Sequence, residues 1–208
     1  MKKGLFITFE GGEGAGKSTL MENLFHSLKK EKRPVIQTRA PGGTPIGQEI
    51  RNLLLHGHQE LGKRTELLLF LADRAQHVDE LILPALEKGQ IVLCDRFNDS
   101  TLAYQGGARA LSKKAVIDLC HFACHGLKPN LTIYLDLDPR IGFKRNSAKV
   151  KDRIEAETLQ FHEKIRRSFK QIAKKEPKRF FLIDASQTPS QVFQQAKERI
   201  DALLSSRR

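Results

Sequence analysis

Leu5-Phe6-Ile7-Thr8-Phe9-Glu10-Gly11-Gly12-Glu13-Gly14-Ala15-Gly16-Lys17-Ser18 is the stretch from which the rest of the chain is read. It opens as an apolar, β-rich run and closes on Gly11-x-x-x-x-Gly16-Lys17-Ser18, the spacing of a P-loop. The chemistry needs this order. A buried strand delivers the chain to a glycine-rich turn whose N–H groups can wrap a phosphate. A helix opening near Lys17 adds the positive end of its dipole. Lys17 reaches the outer phosphates, the Ser18 hydroxyl is a Mg²⁺ ligand, and Gly11, Gly12, Glu13, Gly14, Ala15, Gly16 and Thr19 complete the cradle. A chance glycine-rich turn would lack the strand before it and the helical pattern after it. The stretch therefore implies binding of a nucleoside triphosphate.

Composition sets the frame around this motif. A chain of 208 residues suits one domain with a small lid and can bury a sizeable core. No apolar run approaches the roughly 20 residues that span a bilayer, and Met1 to Gly4 lead straight into the first strand, so no signal peptide is expected. Cys94, Cys120 and Cys124 are too few and too poorly spaced for a disulfide framework, which fits a reducing cytoplasm. The net charge of +12 suits either nucleic acid or ligands rich in phosphate. Its Lys and Arg are spread along the chain, densest at 144–153, 164–179 and Arg207-Arg208, and no nucleic-acid-binding motif organises them.

Short apolar runs alternate with longer amphipathic segments. Strands are predicted at 5–10, 34–38, 90–95, 131–136 and 179–184, and helices near 17–31, 45–56, 63–88, 112–125, 152–175 and 189–204. The alternation predicts an α/β fold, a five-stranded parallel sheet covered by helices on both faces, with ligands at the carboxyl ends of the strands.

Two strand ends carry chemistry. Arg39-Ala40-Pro41-Gly42-Gly43-Thr44 follows the second strand; a turn explains Pro41 to Gly43, whereas Arg39 at the ligand edge suits an anion. The third strand, Ile91 to Asp95, ends on Asp95-Arg96, placing a carboxylate where P-loop proteins hold the Mg²⁺ shell and a cation facing the phosphates. Asn98 to Gly107 is then dense in small hydrogen-bonding groups around Tyr104, a composition suited to reading a base. Arg140, Lys144, Arg145, Lys149, Lys151 and Arg153 form a basic cluster between the fourth strand and a long helix, as a flap over the phosphates would. Cys120-His121-Phe122-Ala123-Cys124-His125 invites a metal reading, but the cysteines belong to an apolar stripe with Val116, Leu119 and Ala123 and no second pair of ligands is spaced to join them. That helix could instead cover a subunit interface.

Taken together, Phe9 to Thr19, Thr38 to Thr44, Asp95-Arg96-Phe97, Ser100-Thr101-Leu102-Ala103-Tyr104-Gln105-Gly106-Gly107 and Asp152-Arg153-Ile154-Glu155 resemble the bacterial thymidylate kinases, in family order over nearly the whole chain. The resemblance implies a homodimeric P-loop kinase that moves the γ-phosphoryl group of ATP to dTMP with Mg²⁺. It assigns Glu13 to the sugar hydroxyl, Arg39 and Arg96 to the acceptor phosphate, Phe70 and Arg74 to thymine, Ser100, Thr101 and Gln105 to the base pocket, and Tyr104 to the 2′ position. Phe70 and Arg74 suit this, since residues four apart share a helix face. The P-loop lacks Arg, so the chain resembles members whose catalytic cations sit in the lid, here Arg145 or Arg153 with Lys149 assisting. The adenine site is implied near Ala185-Ser186-Gln187.

Two departures stand out. Ala40 replaces the family's usual Glu, and the lid is poorer in Arg, which matters because Lys lacks the planar fork. Other classes fit less well: a GTPase needs Asn-Lys-x-Asp, which the chain lacks, and a nucleic-acid motor normally needs further domains. A kinase of another nucleoside monophosphate is the nearest alternative.

Overall fold

The computed structural model describes residues 4–57, 60–147 and 150–206. One parallel sheet runs through it: β1 (Leu5–Gly11), β2 (Val35–Arg39), β3 (Ile91–Asp95), β4 (Leu131–Asp136) and β5 (Phe180–Asp184), in the order β2-β3-β1-β4-β5. Every predicted strand is present, its ends shifted by at most one residue. The register sets Phe9 beside Asp95 and Asp95 beside Arg39, so three strands end level with one another where the P-loop begins.

β1 is buried along its whole length, as a central parallel strand must be. Its alternation splits the core. Leu5, Ile7 and Phe9 pack with Leu20, Leu24 and Leu28 of α1 (Lys17–Lys30) and with Val192, Ala196 and Ile200 of α9 (Pro189–Ser205). Each fully buried leucine there contributes roughly 1.5–3 kcal/mol. Phe6 faces the other way, joining Val92 and Cys94 against Val78, Ile82 and Ala85. On that same face of the sheet Tyr134 of β4 stacks on Phe169 of α8 (Leu159–Lys175) at 4.8 Å between centroids.

α2 (Pro45–His56) starts at Thr44, whose Oγ1 accepts the Gly47 N–H at 3.0 Å. α3 (Lys63–His77) continues through a π-helical turn, Val78–Ile82, into α4 (Leu83–Glu87), filling the segment predicted as one helix. The wider turn accommodates Pro84, which has no N–H to give and would crowd the preceding α-helical carbonyl. α6 (Lys113–Ala123) lies inside its predicted range.

Three differences have local causes. The helix predicted from 152 starts only at Leu159: Asp152 Oδ1 accepts the Ile154 and Glu155 N–H groups at 2.9 and 2.8 Å, closing a separate turn, and Thr158 caps the helix. α7 (Pro139–Arg145) is a short helix in the predicted flap, opened by Asp138 accepting the Arg140 N–H at 2.9 Å. α5 (Asn98–Thr101) runs on as a π-helical segment, Leu102–Ala108, closed by the Arg109 N–H donating to the Tyr104 carbonyl at 2.8 Å.

Candidate active site

Gly16, immediately before α1, has φ 86°, the left-handed region that favours glycine, and nothing lies within 4 Å of where a Cβ would stand. Conformation alone demands glycine there. Gly14 is held by space as well: at φ 68°, a Cβ would meet the Gly142 carbonyl at 2.6 Å. α7 thus seats backbone to backbone on the P-loop. Lys17 is 8 % exposed and donates to the Gly11 and Gly12 carbonyls at 3.0 and 2.9 Å. Burial first, then the Arg96 charge, lower its pKa. Ser18 and Thr19 stand exposed on the rim.

A cleft of about 230 Å³ opens at the carboxyl ends of β1, β2 and β3. Glu13, Lys17 and Ser18 reach it from the P-loop, and Arg39, Asp95 and Arg96 from the strand ends. Phe70 and Arg74 enter from one face of α3; Ser100, Thr101, Tyr104 and Gln105 enter from α5 and its π-helical continuation. The π-helical register turns Tyr104 and Gln105 inward together, a use for which such turns recur at functional sites.

Arg96 is the hub. Its Nη2 donates to Glu13 Oε1 at 2.6 Å, and Nη1 donates to Ser100 Oγ at 3.2 Å and the Tyr104 hydroxyl at 3.1 Å. Burial opposes its charge, but Tyr104, Glu13, Asp95 and Glu10 hold its pKa above the usual range, while burial pushes the Tyr104 phenol up to about 12. Arg39 donates to Gln48 Oε1 at 3.1 Å and lines the same cleft. Asp95 Oδ1 is buried with no hydrogen-bond partner, and with the Ser18 hydroxyl it makes an oxygen donor set that fits Mg²⁺.

Arg153 and Arg145 both have protein partners in this structure. Arg153 Nε donates to the Leu54 carbonyl at 2.9 Å and its guanidinium pairs with Glu66 at 2.8 Å, which ties the flap to α2 and α3. Glu66, 1 % exposed, also accepts from Gln105 at 2.9 Å and from Arg109 at 3.1 Å. Burial raises its pKa, but Arg109, Gln105 and Arg153 together bring it below the usual range. Arg145 donates to the carbonyls of Gly14 and Ala185, both at 3.2 Å, bridging the P-loop and the loop after β5. Lys149 and Arg207-Arg208 lie outside the described residues. No cluster of three metal-ligating His, Cys, Asp or Glu occurs among the described residues, and Cys120 and Cys124 are buried thiols. Leu119, read with them as one stripe, is partly exposed instead.

Over residues 9–196 the chain matches the family model described as thymidylate kinase. The chain belongs to the thymidylate kinase family. It is 49% identical to the thymidylate kinase of Protochlamydia amoebophila over 96% of this chain and 93% of that one. Against the thymidylate kinase of Desulfovibrio desulfuricans the identity is 47%, covering 98% of each. The crystal structure of thymidylate kinase from Ehrlichia chaffeensis superposes with a TM-score of 0.80 at 32% identity, covering 96% of this chain and 99% of that chain.

Sequence reasoning missed three parts of this family member's site. Arg51 and Leu55 line the cleft from α2, with Arg51 donating to the Pro41 carbonyl at 2.8 Å. The readable signal was a cation among Gly47, Leu54 and Leu55 on one helical stripe. Asp152, Ile154 and Glu155, read as part of a motif but given no role in the site, also line the cleft.

Glu10 is the third. It is fully buried and accepts from Ser100 Oγ at 2.6 Å and from the Phe97 and Ser100 N–H groups at 2.8 and 3.3 Å. Burial first, then Asp99, raise its pKa to about 7, against the lowering effects of Arg96 and these hydrogen bonds. A carboxyl whose folded pKa is raised gives stability that is complete below its unfolded value and lost as pH rises through about 7. Glu10→Gln cannot ionise. Its melting temperature relative to the parent should therefore climb between pH 5 and 8.5, by up to about 3 kcal/mol in stability. A pH-independent difference in calorimetry or fluorescence melts would contradict the assignment.

Proposed function

We propose that the cleft is the acceptor site at which this chain phosphorylates dTMP at the expense of ATP, giving dTDP and ADP. The observation that carries the residue roles is a single cleft in which the P-loop lysine, strand-end Arg39 and Arg96, and the Phe70–Arg74–Gln105 group all meet. Arg39 and Arg96 hold the acceptor phosphate, Glu13 the sugar hydroxyl, and Phe70 stacks on the base that Arg74, Thr101 and Gln105 read. Tyr104, fixed by Arg96, fills the space a 2′ hydroxyl would need. Ser100 positions Arg96, accepting from its Nη1 while donating to the buried Glu10. The P-loop from Gly11 to Thr19 takes the ATP phosphates, and Arg145 with Ala185-Ser186-Gln187 lies at the nucleoside end of ATP.

The acceptor oxygen already carries charge near neutral pH, the second pKa of a phosphate monoester being about 6. No strong general base is required. An oxygen of the dTMP phosphate bonds to the γ-phosphorus as the β–γ bond breaks, and ADP leaves with that electron pair. Lys17 and Arg96 position the two phosphates and neutralise charge developing between them. Ser18 and Asp95 would hold Mg²⁺, which neutralises the outer phosphates when bound.

Among the described residues no helix is long and apolar enough to cross a membrane, in keeping with a cytoplasmic enzyme. Leu53 on α2, Leu68 on α3 and Phe122 on α6 are exposed large apolar side chains, Phe122 at 82 %. α3 packs against both other helices, and a homodimer through this face would cover them. Leu68→Glu with Phe122→Glu should shift the native mass in light scattering from two chains to one; an unchanged mass would exclude this face.

The acceptor assignment is tested by ADP release with ATP–Mg²⁺ against dTMP, dUMP, UMP, dCMP, AMP and GMP. Turnover concentrated on dTMP, with weaker dUMP, is expected. Preference for another monophosphate would overturn the base-pocket roles.

A further inference from the structure

Arg74 is a buried cation with few partners. Only 2 % of its surface is exposed, its Nε is buried without a hydrogen-bond partner, and its guanidinium lies over the Phe97 ring at 4.6 Å. The neighbouring Asp73 is turned away, accepting the Gly42 N–H at 2.8 Å. What fixes the fork is Asn98: Arg74 Nη1 donates to Asn98 Oδ1 at 2.6 Å. Asn98 does not line the acceptor cleft. Its amide is anchored from behind, Nδ2 donating to Cys124 Sγ at 3.1 Å, while that thiol donates to the Leu127 carbonyl at 3.4 Å. Chemistry dictates the amide orientation, since arginine has donors only and must face the amide oxygen.

We propose that Asn98 is a positioning residue for base recognition: braced by Cys124 at the end of α6, it sets the rotamer of Arg74 and so the preference for an oxygen over an amino group at C4 of the pyrimidine. The logic is that of a donor-only side chain. Arg74 satisfies an oxo group and opposes an amino group with its own hydrogens, but only while its fork is held in place. A long side chain without a carboxylate partner, with Nε unpaired, has nothing else among the described contacts to hold that plane except the Phe97 ring. The arrangement also gives Cys124 a role, as the acceptor for the Asn98 amide.

The inference rests on Arg74 reading the base, and the test separates the two. Steady-state KM for dTMP and for ATP, kcat, and the competitive Ki of dCMP are measured for Asn98→Leu, Asn98→Asp, Arg74→Met and the Arg74→Met/Asn98→Leu pair. Asn98→Leu should raise the dTMP KM about tenfold, as loss of a hydrogen bond to a charged group does, with the ATP KM and kcat within about threefold. The dCMP Ki should move by less than about threefold, so that discrimination falls. Asn98→Asp keeps the acceptor for Arg74 and should retain a dTMP KM near the parent's. In the Arg74→Met background Asn98→Leu should add nothing.

A dTMP KM within about twofold of the parent in Asn98→Leu, with Arg74→Met strongly raised, overturns the positioning role and leaves base reading by Arg74 intact. Additive effects in the pair, or an ATP KM rising in parallel, overturn it as well, since both mark a merely structural residue. Arg74→Met without effect overturns the base-reading assignment itself. Should Asn98→Leu fail to fold, Cys124→Ala frees the amide and should raise the dTMP KM about threefold; no change there counts against the proposal equally.

Discussion

Arg96→Ala should lower kcat/KM for dTMP on the order of 10³-fold, with kcat and KM both contributing. The expectation follows from the three bonds its guanidinium makes at once, to Glu13, Ser100 and Tyr104. One side chain thereby ties the P-loop to α5 and to Tyr104 in its π-helical continuation. Removing it leaves Glu13 with its negative charge beside an incoming phosphate, so ground-state binding suffers along with the transfer step. Arg96 also sits at φ 69°, a strained backbone for a residue with a Cβ. That strain separates stability from chemistry. Arg96→Gly should relieve about 1 kcal/mol of backbone cost that Arg96→Ala retains, yet be just as inactive. Arg96→Lys keeps the charge but not the fork, and should fall between the parent and Arg96→Ala. Steady-state kinetics with melts for the three variants decide it. Activity of Arg96→Ala within about tenfold of the parent would remove Arg96 from the transfer step.

Much of this was legible in the sequence because the chemistry sits at strand ends. Five short apolar runs announce the sheet, and the residues that close them, Arg39, Asp95 and Arg96, fall at the ligand edge without any tertiary information. Gly16 was equally readable, since its requirement for φ above zero is local, whereas the close approach of Gly142 to Gly14 needs the fold. Partnerships between distant segments left no such trace. Glu66 reads as one more polar helix residue; only the fold brings Gln105, Arg109 and Arg153 to its carboxylate. The pairing of Arg153 with Glu66 was unreadable for the same reason, as a basic run gives no sign of which member has an acidic partner. Glu10 was passed over because a carboxylate in a buried strand looks like motif filler until Phe97 and Ser100 turn their N–H groups toward it. The helix from 98 to 108 was invisible for a different cause: a π-helical segment rich in glycine has no 3.6-residue period to detect.

Lys17→Met should abolish turnover, lowering kcat by 10³-fold or about that, while leaving the fold as stable as the parent's or more so. Lys17 is 8 % exposed, and burial followed by the Arg96 charge disfavours its ammonium form. A lowered folded pKa for a base means that its charge costs stability at every pH below its unfolded value, and the cost fades only as pH rises through that range. The Gly11 and Gly12 carbonyls offset part of this cost by accepting from Nζ. Met has similar length, no charge and no donor, so it relieves the burden; a gain of roughly 2–4 °C in melting temperature is expected for each kcal/mol recovered. Triphosphate reverses the balance. Its oxygens add negative charge beside Lys17 beyond that of Glu13, Asp95 and Glu10, so ATP–Mg²⁺ should raise the melting temperature of the parent clearly more than that of Lys17→Met. A stabilised, inactive variant with a blunted ATP shift identifies a residue held in an unfavourable state for the sake of its substrate. A destabilised variant with a full ATP shift would instead make Lys17 a structural clamp on the P-loop carbonyls, and the phosphate contact would then have to come from Arg96 and the helix end alone.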